Sequence, residues 1–336
     1  MSQLYPLLLI PEFHERVWGT RDLSAFYPSY RIGKEPVGEV WLTGEGCRLA
    51  NGNLKGRTLA ELAQQFGREL NGTLARDSRF PLLVKILFPK DRLSVQVHPD
   101  DQGARKVGLP CGKTECWYAL SAAPGAQVGL GFKPGVDRAQ VEAAIHAKNM
   151  EQLLNWIPVQ AGEMIYVDAG TVHAIGPDCV MLETQQNSDT TYRLYDYGRP
   201  RELHIERGLE AMKEFTRAGK VKSRRQNGQE VLISSPSFEV YRMVLNQTQA
   251  FTTVANAGHT TPHCIIGIRG CGIIECDGHP AISLGRGEAA IVPASLGDYR
   301  IRPQWEFECV RSSLPVAGVG EPETESPEKT LSGAAR

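Results

Sequence analysis

Thirty-four glycines and 21 prolines break this 336-residue chain into short pieces, and most of the pieces between them are apolar runs too short for stable helices. Glycine reaches backbone conformations that other residues avoid, and proline fixes φ and lacks an N–H, so both mark turns. A chain interrupted this often folds from many short strands. The clearest runs are GEVWLTG (38–44), PLLVKILF (81–88), LSVQVH (93–98), ECWYAL (115–120), GEMIYVDA (162–169) and CVMLET (179–184). Helical spacing is rarer. RTLAELAQQFG (57–67) carries Leu59, Leu62, Ala63 and Phe66 on one face before a glycine stop, and 137–156 and 202–212 read as two further helices. These sequences predict a mainly β fold decorated by a few helices.

Two segments look related. GEMIYVDAGTVHAIG (162–176) and GEAAIVPASLGDYRI (287–301) both open Gly-Glu, pass through an apolar strand and a turn, and reach His173 in the first copy and Asp298 in the second. The pattern predicts two similar barrels, the second without a polar ligand at that place. The polar, basic stretch 217–230 reads as a solvated linker between them. The expected division is a first domain over 1–220 with helical insertions, a degenerate second barrel over 228–312, and a disordered tail over 313–336, rich in Pro, Glu, Ser and Gly.

Charge and cysteine usage narrow the function. With 37 basic and 38 acidic residues the net charge is −1, which offers no long-range attraction to nucleic acid or an anionic membrane. No stretch reaches the roughly 18 apolar residues of a membrane span. The short apolar run near the N-terminus is flanked by Pro6 and Pro11 and lacks a basic leader, so it reads as an opening strand. None of the eight cysteines forms a CxxC pair, and several lie in apolar runs. That usage fits reduced core thiols in a cytoplasmic protein.

The chemistry gathers on three segments. In LSVQVHPDD (93–101), strand alternation sends Leu93, Val95 and Val97 to one face and Ser94, Gln96 and His98 to the other. Three polar side chains in a row on an inner face need partners, which a metal or ligand would supply. GKTECWYAL (112–120) places Lys113 and Glu115 two residues apart, on one face of a strand. VDAGTVHAIG (167–176) carries a strand through a glycine turn to His173. Gly162, Gly170 and His173 follow the second cupin signature, with Asp168 in place of its usual proline, and Gln96, His98 and Glu115 fill the positions of the first. Two imidazoles, a carboxylate and an amide oxygen suit Zn²⁺, and also admit Mn²⁺, Fe²⁺, Co²⁺ or Ni²⁺.

The segments LVKILFPKDRLSVQVHPDD, GKTECWYAL, DAGTVHAIG and NSDTTYRLYDYGRPRELHIE resemble type I phosphomannose isomerases, in their shorter bacterial branch, densely over residues 15–210. The resemblance implies a bicupin of two jelly-roll barrels and one zinc ion, Zn2+, per chain, held by Gln96, His98, Glu115 and His173. It implies Arg193 and Lys113 as catalytic residues. Trp18, Glu39, Lys85, Ser94, Asp189 and Arg199 would bind the substrate. The implied reaction interconverts mannose 6-phosphate and fructose 6-phosphate through a cis-enediol; separately from the resemblance, the chain is expected to be a monomer with a small sugar phosphate as its partner. Lys85, in the middle of an apolar strand, supports the reading on physical grounds, since lysine is seldom buried there without a purpose. Arg199 stands where the family often has lysine, and Ile175 where it often has tyrosine. The general base stays open between a lysine, a metal-bound water and a metal-linked glutamate. The competing readings are an isomerase of another phosphorylated aldose, a non-catalytic sugar-phosphate-binding cupin, and a cupin dioxygenase, which the cluster of cations disfavours.

Overall fold

The computed structural model describes residues 4–226, 229–315 and 319–325. In chain order the strands of the first half are β1 (Leu7–Ile10), β2 (Glu12–Thr20), β3 (Val37–Trp41), β4 (Arg48–Leu49), β5 (Leu82–Leu87), β6 (Val95–Val97), β7 (Glu115–Ala122), β8 (Gln127–Phe132), β9 (Leu154–Pro158), β10 (Met164–Val167), β11 (His173–Ile175), β12 (Cys179–Gln186), β13 (Tyr192–Tyr195) and β14 (Gly219–Val221). The second half adds β15 (Arg224–Gln226), β16 (Gln229–Ser234), β17 (Glu239–Leu245), β18 (Gln249–Thr252), β19 (His263–Glu275), β20 (Ile282–Leu284), β21 (Ala289–Val292), β22 (Asp298–Ser313) and β23 (Thr324–Glu325). The helices are α1 (Leu59–Phe66), α2 (Arg68–Asn71), α3 (Asp101–Lys106), α4 (Arg138–Ala147) and α5 (Ile205–Ala211).

The fold is the expected double jelly roll. One sheet runs β2–β3–β5–β12–β7–β10–β14–β23 and a second runs β13–β6–β11–β8–β9. They form the first barrel. The third sheet runs β15–β16–β17–β22–β19–β21–β1–β4, with β18 on β22 and β20 on β19, and makes the second. β5 is buried at all six positions because its sheet is covered on both faces, which explains its nearly unbroken apolar sequence. One face packs into a large apolar cluster shared with the second barrel through Leu232, Phe238, Cys264, Ile266 and Val310.

Local signals explain the helices. α1 opens on a capping box in which Thr58 accepts from the Glu61 N–H and Glu61 reaches back to the Thr58 N–H. Its Leu59, Leu62 and Ala63 are buried. α4 and α5 cover the outer face of β6, β11 and β13, packing Val141, Ala144, Ile145 and Leu209 on Val95, Val97, Ala174 and Leu194.

Several expectations are corrected. The helix expected over 137–156 ends at Ala147, where Lys148 takes a left-handed conformation with φ 58°. Leu154–Pro158 then pairs with β8 as an edge strand that buries Leu154 and Ile157. The stretch 217–230 is not a plain linker: it contributes β14, β15 and the start of β16, with Arg224 and Arg225 on an exposed edge. The expected disordered tail includes β23, where Thr324 and Glu325 pair with Val221 and Lys220; positions 316–318 and 326–336 of that tail lie outside the described residues. β1 joins the second barrel's sheet, pairing with β21, so the chain begins in one barrel and builds the other next.

Candidate active site and metal centre

Strand register assembles the site. β6 lies between β13 and β11, and Gln96 stands opposite both Arg193 and His173. Directly opposed residues share a face, so the three polar side chains stand abreast on the barrel's inner surface. Val95 and Val97 take the opposite face, as alternation requires. Leu93 departs from the expected pattern. It precedes the strand, and it lines the cavity together with Ser94. Gly170, at φ 96°, bends the chain before β11, and its N–H donates to the carbonyl of His98 at 2.9 Å. That bond ties the two histidine-bearing segments together. The facing sheet contributes Glu115 from the start of β7, Glu39 from β3, and the directly opposed pair Lys85 and Glu183.

His98, Glu115 and His173 converge, with ligand atoms all within 4.8 Å of one another. Glu115 Oε2 is 3.5 Å from His98 Nε2, and Oε1 is 3.3 Å from His173 Nε2. Each Nδ1–H donates to a main-chain carbonyl, His98 to Thr190 at 2.8 Å and His173 to Thr171 at 2.9 Å. Those bonds fix the tautomer and turn both Nε2 lone pairs inward, as in histidine metal ligands. Burial strips water from the rings and holds both neutral, with His98 well below its ordinary range and His173 at about 4. His98 Nε2 and both Glu115 oxygens are buried without a hydrogen-bond partner. Orphaned buried acceptors pointing at one spot are costly unless a cation is meant to sit there. The residues therefore fit a divalent metal ion. Gln96 adjoins them, its amide nitrogen 3.2 Å from His173 Nε2 and its Oε1 accepting from the Ser94 hydroxyl at 3.0 Å. A half-turn of the amide would present Oε1 to the cluster and Nε2 to Ser94.

The cluster lies behind a cleft of about 450 Å³ and meets it through Gln96 and Lys113, which line the cleft while His98, Glu115 and His173 do not. Trp18, Glu39, Lys85, Ser94, Gln96, Lys113, Asp189 and Arg193 line it, as expected. Lys85 is fully buried, over the Trp41 ring at 4.7 Å, with Asp189, Glu183 and Glu39 at 3.2, 3.6 and 3.8 Å. Burial works against its charge, but the surrounding carboxylates outweigh that and raise its pKa. Glu39 is likewise opposed by burial, yet Lys85 and Arg16 pull it down to about 2. Lys113 Nζ is 3.3 Å from Glu115 Oε2.

Arg199 is the exception among the expected substrate-binding residues. It lies outside the cleft lining, bonded to Asp196 and to the carbonyl of Arg92, and Arg201 lines the cleft in its stead. Arg16 and Glu183 also line it and were missed by the sequence reading. Glu183 was findable: a carboxylate amid the apolar CVMLET run is as anomalous as Lys85 in its strand. Burial and then the charge of Glu115 raise its pKa to about 7. Trp117 Nε1 donates to it at 3.1 Å. Arg16 carries no such signal, because it lies in a polar run and reaches the cleft only through its pairing with Glu39.

Comparison with known proteins agrees with this geometry. The phosphomannose isomerase type I catalytic domain matches residues 7–120. A mannose-6-phosphate isomerase of Streptococcus mutans is 36% identical over 317 residues, covering 90% of this chain and 95% of its own. One from Bacillus subtilis is 42% identical over 219 residues, 62% of this chain and 68% of its own. The crystal structure of a mannose 6-phosphate isomerase from Bacillus subtilis superposes with a TM-score of 0.80 at 31% identity, over 91% of this chain and 99% of that one.

Proposed function

The chain belongs to the type I phosphomannose isomerase family, and from that premise we infer that its cleft interconverts mannose 6-phosphate and fructose 6-phosphate. One observation carries the reading: the unsatisfied atoms of His98 and Glu115 converge with His173 Nε2 beside a cleft lined by cationic side chains. An aldose–ketose isomerisation moves a proton between C2 and C1 through a cis-enediol, and negative charge develops on the sugar oxygens.

His98, Glu115, His173 and Gln96 would hold the metal ion. Two neutral imidazoles, a carboxylate and an amide oxygen favour Zn²⁺. A bound divalent ion acts as a Lewis acid on the substrate oxygens. Arg193 stands across Gln96 from His173, with its buried Nε unpartnered, and would stabilise the developing oxyanion. Lys113, beside Glu115, is placed to move a proton at the reacting carbons. Trp18, Glu39, Ser94, Lys85 and Asp189 would shape the sugar site. Lys85 holds Glu39 and Glu183 in place, since three carboxylates already compete for it.

All eight cysteines are free thiols, which supports the reducing cytoplasm as its compartment. We assign the chemistry to the first 220 residues.

The test is a coupled assay across hexose 6-phosphates on chelator-stripped and zinc-restored protein. Activity on mannose 6-phosphate that vanishes with the metal and returns with it is the expected result. Preference for another phosphorylated aldose would reassign the substrate, and full activity after metal removal would end the metal reading.

A further inference from the structure

Lys113 stands just before β7, on residues 112–114 that belong to no strand, so no sheet ladder fixes it. Its side chain is a flexible four-carbon stem, and a nitrogen moves a proton at a carbon only when it is held at a set distance from it. A polar clamp outside the cleft holds this segment. Three consecutive N–H groups are engaged. Gly112 donates to Asp101 Oδ1 at 2.9 Å, Lys113 to the Pro99 carbonyl at 3.0 Å, and Thr114 to Gln186 Oε1 at 2.9 Å.

Two side chains join these bonds into one unit. Gln186 Nε2 donates to the same Asp101 Oδ1 at 3.0 Å, and the Gln186 N–H donates to the Thr114 carbonyl at 3.1 Å. The partners fix the amide's orientation, since the Thr114 N–H needs an oxygen and the Asp101 carboxylate needs a donor. Burial works against the charge of Asp101, but the bonds from Gly112, Gln186 and Arg76 outweigh it and lower its pKa. Bonds to a charged acceptor are the strong ones. The approach is close: a Cβ on Gly112 would stand 2.5 Å from the Asp100 carbonyl carbon and 2.6 Å from the Asp101 nitrogen. Neither Asp101 nor Gln186 lines the cleft, whereas Lys113 does. Glu115 is held separately, by the pairing of β7 with β10 and β12. The clamp therefore bears on the lysine rather than on the metal ligand two residues further.

We propose that Gln186 and Asp101 are positioning residues, which hold the Lys113 ammonium at the reacting carbons by fixing residues 112–114. This rests on the isomerase reading above and deepens it.

The experiment is a double-mutant cycle in steady-state kinetics, on the metal-replete full chain and the hexose 6-phosphate that the coupled assay selects. K113M should lower kcat by at least ~10²-fold. Q186L should lower kcat by ~10- to 100-fold, the scale of a small misplacement of a reacting group, with KM within ~threefold and metal content unchanged. In the K113M background Q186L should cost less than a further ~twofold, because it acts only through that lysine. D101A should lower kcat by ~10-fold, and D101N, which keeps an oxygen for both donors, should recover most of that loss. R76Q should stay within ~twofold of the parent, since Arg76 is exposed and bonds the other oxygen of Asp101. K113M turning over like the parent ends the reading of Lys113, and the clamp with it. A slow K113M overturns the clamp alone in any of four cases: Q186L at parental kcat, a Q186L loss that multiplies in full in the double variant, a rise in KM without a fall in kcat, or loss of metal from Q186L. Should Q186L prove misfolded by its melting curve, Q186E, which keeps the volume and sets a carboxylate against Asp101, decides it by the same cycle.

Discussion

The two barrels are built alike and filled oppositely. In the first, Gly162 at φ 89° leads into β10, and the turn that follows delivers buried His173. In the second, Gly287 at φ 77° leads into β21, and the matching turn delivers Asp298 to solvent. The first interior holds Lys85, His98, Lys113, Glu115, His173 and Glu183, all buried. The second is apolar, packed with Met243, Leu245, Ile265, Ile274, Phe307 and Cys309. Its buried polar groups are few and scattered: His263 Nδ1 meets the Tyr299 hydroxyl at 2.7 Å, and the Arg311 guanidinium lies 4.3 Å from the Tyr241 ring with its Nε unpartnered. The jelly roll thus stands without a site. A buried ionic cluster is a cost that only one of the two barrels bears, and function is what retains it.

The largest expected contrast is in turnover. His98→Ala should lose metal and at least ~10³-fold in kcat, because Lewis-acid stabilisation is worth several kcal/mol. His263→Ala in the other barrel should keep metal content and kcat within ~threefold of the parent, since His263 meets only Tyr299. Metal analysis with kinetics decides this, and comparable losses would erase the distinction between the barrels. The next contrast is in stability. Lys85→Met strands Glu183 without its cation, while Glu39 keeps Arg16, and should cost about 3 kcal/mol. Arg311→Met strands no carboxylate, since none lies within 4.0 Å of it among the described residues, and should cost under about 1 kcal/mol. Urea unfolding of both variants measures the difference.

Arg193→Ala should lower turnover by at least ~10² with metal content unchanged, the scale of one oxyanion donor or of general acid–base catalysis. Near-normal turnover would remove Arg193 from the mechanism. The smallest effect is one the barrels should share. Burial depresses the pKa of His173 to about 4 and pushes that of His263 well below its ordinary value. Above about pH 6.5 both are neutral folded or unfolded and contribute no pH dependence. As pH falls below that, the unfolded chain takes up protons that the folded chain refuses, so stability drops. His173 should account for about 2 kcal/mol at pH 5, and His263 acts in the same direction. His263→Gln should flatten the second barrel's share of that slope in unfolding measurements at pH 7 and pH 5.

Much of this was readable in residue order. The six apolar runs all contain strands, and the predicted polar face of β6 does point inward. The ligand triad was visible because His98, Glu115 and His173 each break a local pattern: a polar residue on a strand's inner face, or one delivered by a glycine turn. Glu183 broke its pattern as plainly and was passed over, while β9 was hidden inside a stretch with helical spacing, where an available sheet edge outweighed local propensity.

Residue order by itself determined which side chains can bind a cation and on which face of a strand each lies, because alternation acts between near neighbours. It could not determine which arginine reaches the cleft. Arg199 and Arg201 are two residues apart, both beside a buried Asp196, and the family resemblance pointed to Arg199. Only the folded chain, by setting Arg92 and Asp91 next to Arg199, turned that side chain away and left Arg201 facing the cavity. The same holds for β1, whose place in the second barrel depends on hydrogen bonds to Ala289–Val292, far along the chain. Side-chain chemistry is local and legible, whereas the choice among equivalent partners depends on contacts between distant segments that form only when the barrels close.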